Sequence, residues 1–271
     1  MAIDNRESLD DLLSTSEAAR LAGVTPSTMK RWADEGVLTC ERTAGGHRRF
    51  RRSVLERLQR RAPSTGSPAD PLDSWLADLV EGSHHLIVSR FFSLRQETGS
   101  WPGVADEVGP VLSALGEAWA SGKLTIAQEH LASECLVRAL AQIGLSLPTR
   151  RDPGRALLAT VEGEQHELGL RLAELCVRNR QWKPVWVGSN TPTDVLTAHL
   201  EATKIEMVVI TASPWMKHVS ALEPIAARLS EVCAQQGATL VLGGGGPWPE
   251  VSGAIRIDSY RAFDELLSRL G

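Results

Sequence analysis

From residue 154 onward the apolar positions fall into short runs, ALLAT, PVWVG, EMVVIT and ATLVLG, each separated from the next by a helix-length amphipathic stretch. Strand alternating with helix predicts a doubly wound (Rossmann- or flavodoxin-like) α/β domain of about five parallel strands. The tail adds AIRID and a last helix, YRAFDELLSRL. Between about residues 72 and 147 the period is helical instead, through PLDSWLADLVEGSHHLIVSRFFSLRQ, VADEVGPVLSALGEAW and TIAQEHLASECLVRALAQIGLSL. Breaks at Gly99–Pro102 and Gly122 divide it into four helices, a small bundle. Thr125, with Gln128 three residues on, reads as the capping box of the last. Nearer the N-terminus, Ser14-Thr-Ser-Glu17 caps a short helix, EAARLAG, and Thr25-Pro26 opens a second, PSTMKRWADEG. Two short helices across a tight Gly-containing turn make a helix-turn-helix. CERTAGGHRRF then reads as a hairpin with a glycine tip, and Ser53 as the cap of a further helix, VLERLQRR.

Breaker-rich stretches set the domain boundaries. APSTGSPADP, residues 62–71, cannot build a core and reads as a linker, and PTRRDPG marks a second break. The expected organisation is a winged-helix domain over 1–61, a linker over 62–71, a four-helix bundle over 72–150 and the α/β domain over 151–271.

Composition narrows the class. Hydrophobic residues make up 42% and charged residues 23%, and no apolar run approaches the roughly 18–20 residues that cross a bilayer, so no membrane partner is expected. MAIDNRESLDD is acidic and lacks the apolar core of a secretory signal. The four cysteines are scattered without a CxxC pair, which points to reduced thiols in a cytoplasm. Net charge is −4, but residues 1–61 carry 12 Lys and Arg against 9 Asp and Glu, while the remaining 210 carry 17 against 24. A basic module on an acidic body implies attraction to a polyanion.

Within that module Ser27, Thr28, Lys30 and Arg31 cluster in the N-terminal half of the second helix, the part of a recognition helix that meets base edges and phosphates. The hairpin adds Arg42, His47, Arg48 and Arg49, suited to straddling the phosphate backbone. LSTSEAARLAGVTPSTMKRWADEGVL, with RTAGGHRRF as the wing, resembles the MerR family of winged-helix transcriptional regulators. That resemblance implies dimeric binding to dyad-symmetric double-stranded operator DNA. The long dimerisation helix frequent in that family is replaced here by the linker and a different body.

In the body, Glu164, His166 and Gly169 form E-x-H-x-x-G directly after ALLAT. A histidine at a strand's carboxyl end can present one ring nitrogen to a metal, and a carboxylate two residues earlier can hold the other. Gly169 would let the next helix begin close to a bulky ligand. The pattern is similar to the D-x-H-x-x-G motif of cobalamin-binding domains, with Glu for Asp. Further along, Thr211-Ala212-Ser213 follows EMVVI and Gly243–Gly246 follows ATLVL. They stand where that family has a Ser/Thr-x-Leu loop and a Gly-Gly, Ser213 replacing the usual leucine. Trp119, nine intervening residues and then Glu129-His130 resemble the W-x9-E-H signature of the bundle that caps cobalamin in the CarH/LitR family of light-responsive regulators. The resemblance runs in the same order over residues 13–271.

What it implies is a cobalamin cofactor, adenosylcobalamin above all, with His166 as lower axial cobalt ligand. The nucleotide tail would lie along Thr211, Ser213, Gly243, Gly244 and Gly245. Trp119, Glu129 and His130 would cover the upper face. A dark homodimer or homotetramer would bind the operator and repress, and light would release it. Members of this type commonly carry a histidine directly after the tryptophan; here it is Ala120, with His84, His85 or His130 as substitutes. A light-independent sensor of cobalamin or of another ligand is the alternative regulator, and a corrinoid carrier of an enzyme system the more remote one. The chain itself is expected not to be an enzyme.

Overall fold

The structure is a computed structural model that describes residues 12–21, 26–34, 38–43, 45–52, 55, 71–216 and 218–270. The chain divides into two compact units, Met1–Trp75 and Leu76–Gly271.

In the first unit α1 (Thr15–Leu21) and α2 (Pro26–Asp34) adjoin a three-stranded antiparallel sheet of order β1-β3-β2, formed by Leu12–Ser14, Arg48–Arg51 and Glu41–Arg42. The Ser14 capping box forms: Ser14 N–H donates to Glu17 Oε2 at 2.8 Å and Glu17 N–H to Ser14 Oγ at 3.3 Å. Strand β1 was not expected. It arises because Leu13 stands opposite Phe50 in the ladder and both are buried, together with Ala18, Met29, Trp32, Leu38 and Leu55. Two adjacent leucines are too short a run to announce a strand, and only the distant partner makes one. Thr25, Gly36, Ser53 and most of the helix expected after Ser53 lie outside the described residues, as do residues 62–70 of the expected linker. Pro71 does not end that linker but begins α3 (Pro71–Val80); proline's fixed φ and missing N–H suit a first helical position.

The second unit continues with α4 (His84–Thr98), α5 (Trp101–Ala120) and α6 (Ile126–Leu145). Both expected breaks fall between helices, Gly99 and Gly122 taking positive φ of 73° and 74°. Ser100 Oγ accepts the Gly103 N–H at 3.1 Å to open α5. Thr125 and Gln128 exchange their capping-box bonds at 2.9 and 3.2 Å to open α6. The α/β part is a five-stranded parallel sheet of order β5-β4-β6-β7-β8, from Lys183–Gly188, Arg155–Thr160, Met207–Thr211, Thr239–Gly243 and Ala254–Arg256. Helices α7 (Leu168–Asn179), α8 (Thr193–Ala202), α9 (Leu222–Gln236) and α10 (Tyr260–Leu270) cover its faces. Leu157, Ala159, Val208, Ile210, Leu240 and Leu242 pack with Leu196, Leu200, Ala226 and Leu229 of α8 and α9. On the other side α7 and α10 carry the bundle, through α5 and α6.

That bundle contact is polar as well as apolar. Tyr260 N–H, at the start of α10, donates to Asp106 Oδ1 of α5 at 2.8 Å, and the Tyr260 hydroxyl to the Gly169 carbonyl at 2.9 Å. Register aligns Thr160, Thr211 and Gly243 across the carboxyl ends of β4, β6 and β7. The opposite end is closed by Gly154, whose missing β-carbon would lie 2.8 Å from the buried Trp182 ring. Gly154→Ala should therefore destabilise this unit by about 1–3 kcal/mol through overpacking, read as a lower urea midpoint; an unchanged midpoint would show that the indole simply yields.

Candidate functional sites

The strand ends hold a buried carboxylate with several donors converging on it. Glu164, 1% exposed, sits in the turn after β4. Its Oε1 accepts the His166 N–H at 2.8 Å and lies 2.5 Å from His166 Nδ1, while Oε2 accepts the Ser213 N–H at 2.7 Å from the loop after β6. Ser213 Oγ is 3.2 Å from the same Nδ1. The Glu164 carbonyl accepts from the Thr160 hydroxyl at 2.5 Å and from the Asn190 N–H at 2.8 Å, and Asn190 Oδ1 accepts the Gly163 N–H at 2.6 Å. Three loops, those after β4, β5 and β6, are thereby joined at one residue.

This fixes the charges. Burial alone would raise the Glu164 pKa, but the bonds from His166 and Ser213 outweigh it and hold the carboxyl at about 2. The carboxylate in turn raises the His166 pKa against the opposing effect of burial, and the charge of Glu129 adds to the rise. Glu129 of α6 is thus electrostatically linked to the loop imidazole. With Nδ1 committed, Nε2 is the nitrogen left to the outside of a side chain that is 56% exposed.

The other expected residues fall as follows. Trp119, in the last turn of α5, is 46% exposed. Glu129 Oε1 accepts from Ser133 Oγ at 2.6 Å and Oε2 lies 3.6 Å from His130 Nε2, on an imidazole 74% exposed. Thr211 is buried and its hydroxyl makes no hydrogen bond, an orphaned polar atom at the sheet's carboxyl end. The glycines differ in how closely their neighbours approach. At Gly169 a β-carbon would meet the Tyr260 hydroxyl at 3.5 Å. At Gly244 it would lie 2.3 Å from the Ala212 carbonyl oxygen, and at Gly245 2.7 Å from Pro214. At Gly243 the neighbour is Thr211 Cγ2 at 3.3 Å. The run docks its backbone against the loop that carries Ser213. His84 is half-covered, its pKa lowered by burial and by His85, and it bonds the Arg138 backbone, which lies about 13 Å along α6 from Glu129 at the helical rise. Sequence reasoning missed Asn190, whose φ of 52° is the left-handed conformation that asparagine tolerates after a strand.

On the N-terminal unit Ser27, Lys30, Arg42 and His47 are exposed, while Arg49 is half-buried. Arg48 is half-buried and paired with Asp34 of α2, which also lies 3.9 Å from Arg42. Arg48 thus ties the wing to α2. The side chains of Thr28 and Arg31 lie outside the described residues. The tip is closed by Thr43 N–H donating to the His47 carbonyl at 2.9 Å and Gly46 N–H to that of Thr43 at 2.8 Å.

Residues 13–60 match the MerR HTH family regulatory protein family, and residues 75–143 match the B12 binding domain family. The chain is 29% identical over 227 residues to the HTH-type transcriptional repressor CarH of Myxococcus xanthus, across 70% of this chain and 75% of that one. It is 29% identical over 101 residues to the HTH-type transcriptional repressor CarA of the same organism, across 37% and 33%. Among solved structures the monomethylamine corrinoid protein of Methanosarcina barkeri superposes with a TM-score of 0.54 at 15% identity, covering 74% of this chain and 96% of that one, a likeness of fold. No helix of the described residues is long and apolar enough to cross a membrane.

The Glu164–His166 pair carries a definite pH signature. A carboxyl lowered from 4.5 to about 2 contributes stability that is fully present above 4.5 and lost as pH falls toward 2. A histidine raised above 6.5 contributes stability present below 6.5 and lost as pH rises through its folded value. Glu164→Gln should flatten both limbs in urea unfolding measured across pH and bring the His166 titration down toward 6.5 by NMR; a His166 titration left where it was would show that Glu164 does not set it.

Proposed function

We propose that this chain, a cobalamin-binding transcriptional regulator of the CarH-like kind, is a light-responsive repressor. It binds operator DNA as an adenosylcobalamin-loaded oligomer in the dark and releases it on illumination. The observation that carries the cofactor site is the imidazole of His166, held through Nδ1 by a buried carboxylate with Nε2 left for a metal.

The residues present fit the group. Among the described residues no three His, Cys, Asp or Glu side chains converge on one point, whereas a single fixed imidazole suits a metal that brings its other ligands with it. The orphaned Thr211 hydroxyl is a ready partner for a polar tail. His166 would hold the cobalt from below, with Thr211, Ser213 and the backbone of Gly243–Gly245 along the tail. Trp119, Glu129 and His130 would cover the upper face. When bound, the adenosyl form supplies a cobalt–carbon bond that visible light breaks. What the chain contributes is orientation and shielding. Glu164 keeps His166 in one tautomer, Trp119 excludes water with its indole, and Ala120 offers no ligand.

On the N-terminal unit, the exposed Ser27, Lys30, Arg42 and His47 would face DNA, with Arg49 beside them and Arg48 bracing the wing. Thr28 and Arg31 complete the expected recognition set. The curated relatives are HTH-type transcriptional repressors, which supports an outcome at the operator rather than in a reaction.

Visible spectra of the protein loaded with adenosylcobalamin, before and after green light, and operator binding under the same two conditions, test this directly. The spectrum should change and dark binding should fall on illumination, while His166→Ala should alter the dark spectrum. A spectrum that His166→Ala leaves unchanged refutes the axial assignment. Equal operator binding in dark and light refutes the photoreceptor and leaves the light-independent cobalamin sensor. For the DNA contacts, Arg42→Ala should weaken operator binding and lower the slope of log K against log salt by about one, as the loss of one phosphate contact does; an unchanged slope would take Arg42 out of the interface.

A further inference from the structure

Trp215 was assigned no role by the motifs, yet it spans the seam that the cofactor reading depends on. It follows Ser213 by two residues in the loop after β6, and its N–H donates to Ser213 Oγ at 3.2 Å. The Met216 N–H returns to the Ser213 carbonyl at 3.3 Å, so the turn closes around the residue that also donates to Glu164. From there the indole reaches α5 of the bundle. Its Nε1 and Cε2 lie 3.5 and 3.9 Å from the point where Gly116 would carry a β-carbon. Gly116, Trp119 and Ala120 are neighbours on one helix face, three and four residues apart. Two small residues thus leave that face open to an indole arriving from the sheet.

Trp215 is 48% exposed, nearly the same as Trp119. Each side of the seam thus presents one half-covered indole, apolar with a polar tip, the kind of side chain that suits a wall for a large flat ligand. The Trp215 Nε1–H makes no hydrogen bond among the described residues, and as a donor without a lone pair it cannot ligate a metal. It can donate to an oxygen, such as a peripheral amide carbonyl of a macrocycle.

We propose that Trp215 is a further wall of the cofactor site, touching the edge of the bound macrocycle and tying the loop that holds His166 to α5. This rests on the cobalamin reading above. It adds a contact that crosses from the sheet to the bundle, so that binding at His166 is felt at the helix bearing Trp119.

The test titrates hydroxocobalamin and adenosylcobalamin into the full-length chain, its Trp215→Ala and Trp215→Phe variants, and His166→Ala, following visible absorption. Trp215→Ala should weaken binding of both forms by about tenfold, and Trp215→Phe should recover most of the loss. Whatever binds to Trp215→Ala should keep the wild-type axial spectrum, because His166 and Glu164 are untouched. Thermal unfolding separates a wall from mere packing: the variant should lose far more of the cofactor-induced rise in Tm than of the cofactor-free Tm. Unchanged affinity in Trp215→Ala, with the wild type binding and His166→Ala altered, overturns the role of Trp215 alone. Equal destabilisation with and without cofactor also overturns it. A wild-type chain that binds neither cobalamin overturns the underlying reading and this inference with it.

Discussion

The arrangement at the strand ends depends on one buried carboxylate. Glu164 is removed from water, and an isolated charge there would be costly, so its neighbours must compensate it. They do so with donors from two loops, the backbone and ring of His166 on one side and the Ser213 amide on the other. Its own carbonyl gathers the third loop through Asn190. Satisfying this single charge therefore fixes the orientation of His166 and the path of the loop after β6, while the same residue's backbone carbonyl holds the turn after β5. Helix α7 starts at Leu168, two residues beyond the imidazole, and carries the bundle on its outer side. The residues fixed by this charge at the strands' carboxyl ends thus lie at the start of the helix that packs under α5 and α6.

What the sequence made legible was local. The capping boxes at Ser14–Glu17 and Thr125–Gln128 close within four residues and appear as expected. The apolar runs gave the central strands β4, β6 and β7 because each is buried in a parallel sheet and reads as a continuous hydrophobic stretch, while the half-buried β5 and the largely exposed β8 lie at the sheet's two edges. What stayed hidden was decided by partners far along the chain. Strand β1 exists because Leu13 meets Phe50. The Gly169 carbonyl takes its hydrogen bond from Tyr260, 91 residues away. Within the glycine run, Gly244 has room only for a hydrogen beside Ala212, a neighbour more than thirty residues away. Trp215 carried no motif because its significance lies in reaching Gly116, a position no local pattern connects to it.

The three departures from the family pattern carry unequal weight once the atoms are in place. Glu164 in place of aspartate adds one methylene, and the longer side chain still brings one oxygen to His166 and the other to Ser213. Ser213 in place of leucine costs little, since the group that binds Glu164 is the backbone N–H, which any residue but proline supplies. Its hydroxyl adds a contact to the same ring nitrogen. Both changes leave the donor set around the imidazole intact.

Ala120 differs in kind. A side chain can ligate a metal only through an available lone pair, and neither a methyl group nor the indole of Trp119 or Trp215 has one to give. Of the residues that the cofactor reading assigns to the upper face, His130 has an imidazole, but it is largely in solvent and its Nε2 lies by Glu129. His84 bonds the Arg138 backbone well down the bundle. On the light-responsive reading, then, position 120 of α5 would offer the cobalt no replacement ligand. The two states of such a switch would differ in how Trp119 and its neighbours pack on α5, and the small face of Gly116 and Ala120, which Trp215 approaches from the sheet, is where that difference would be expressed.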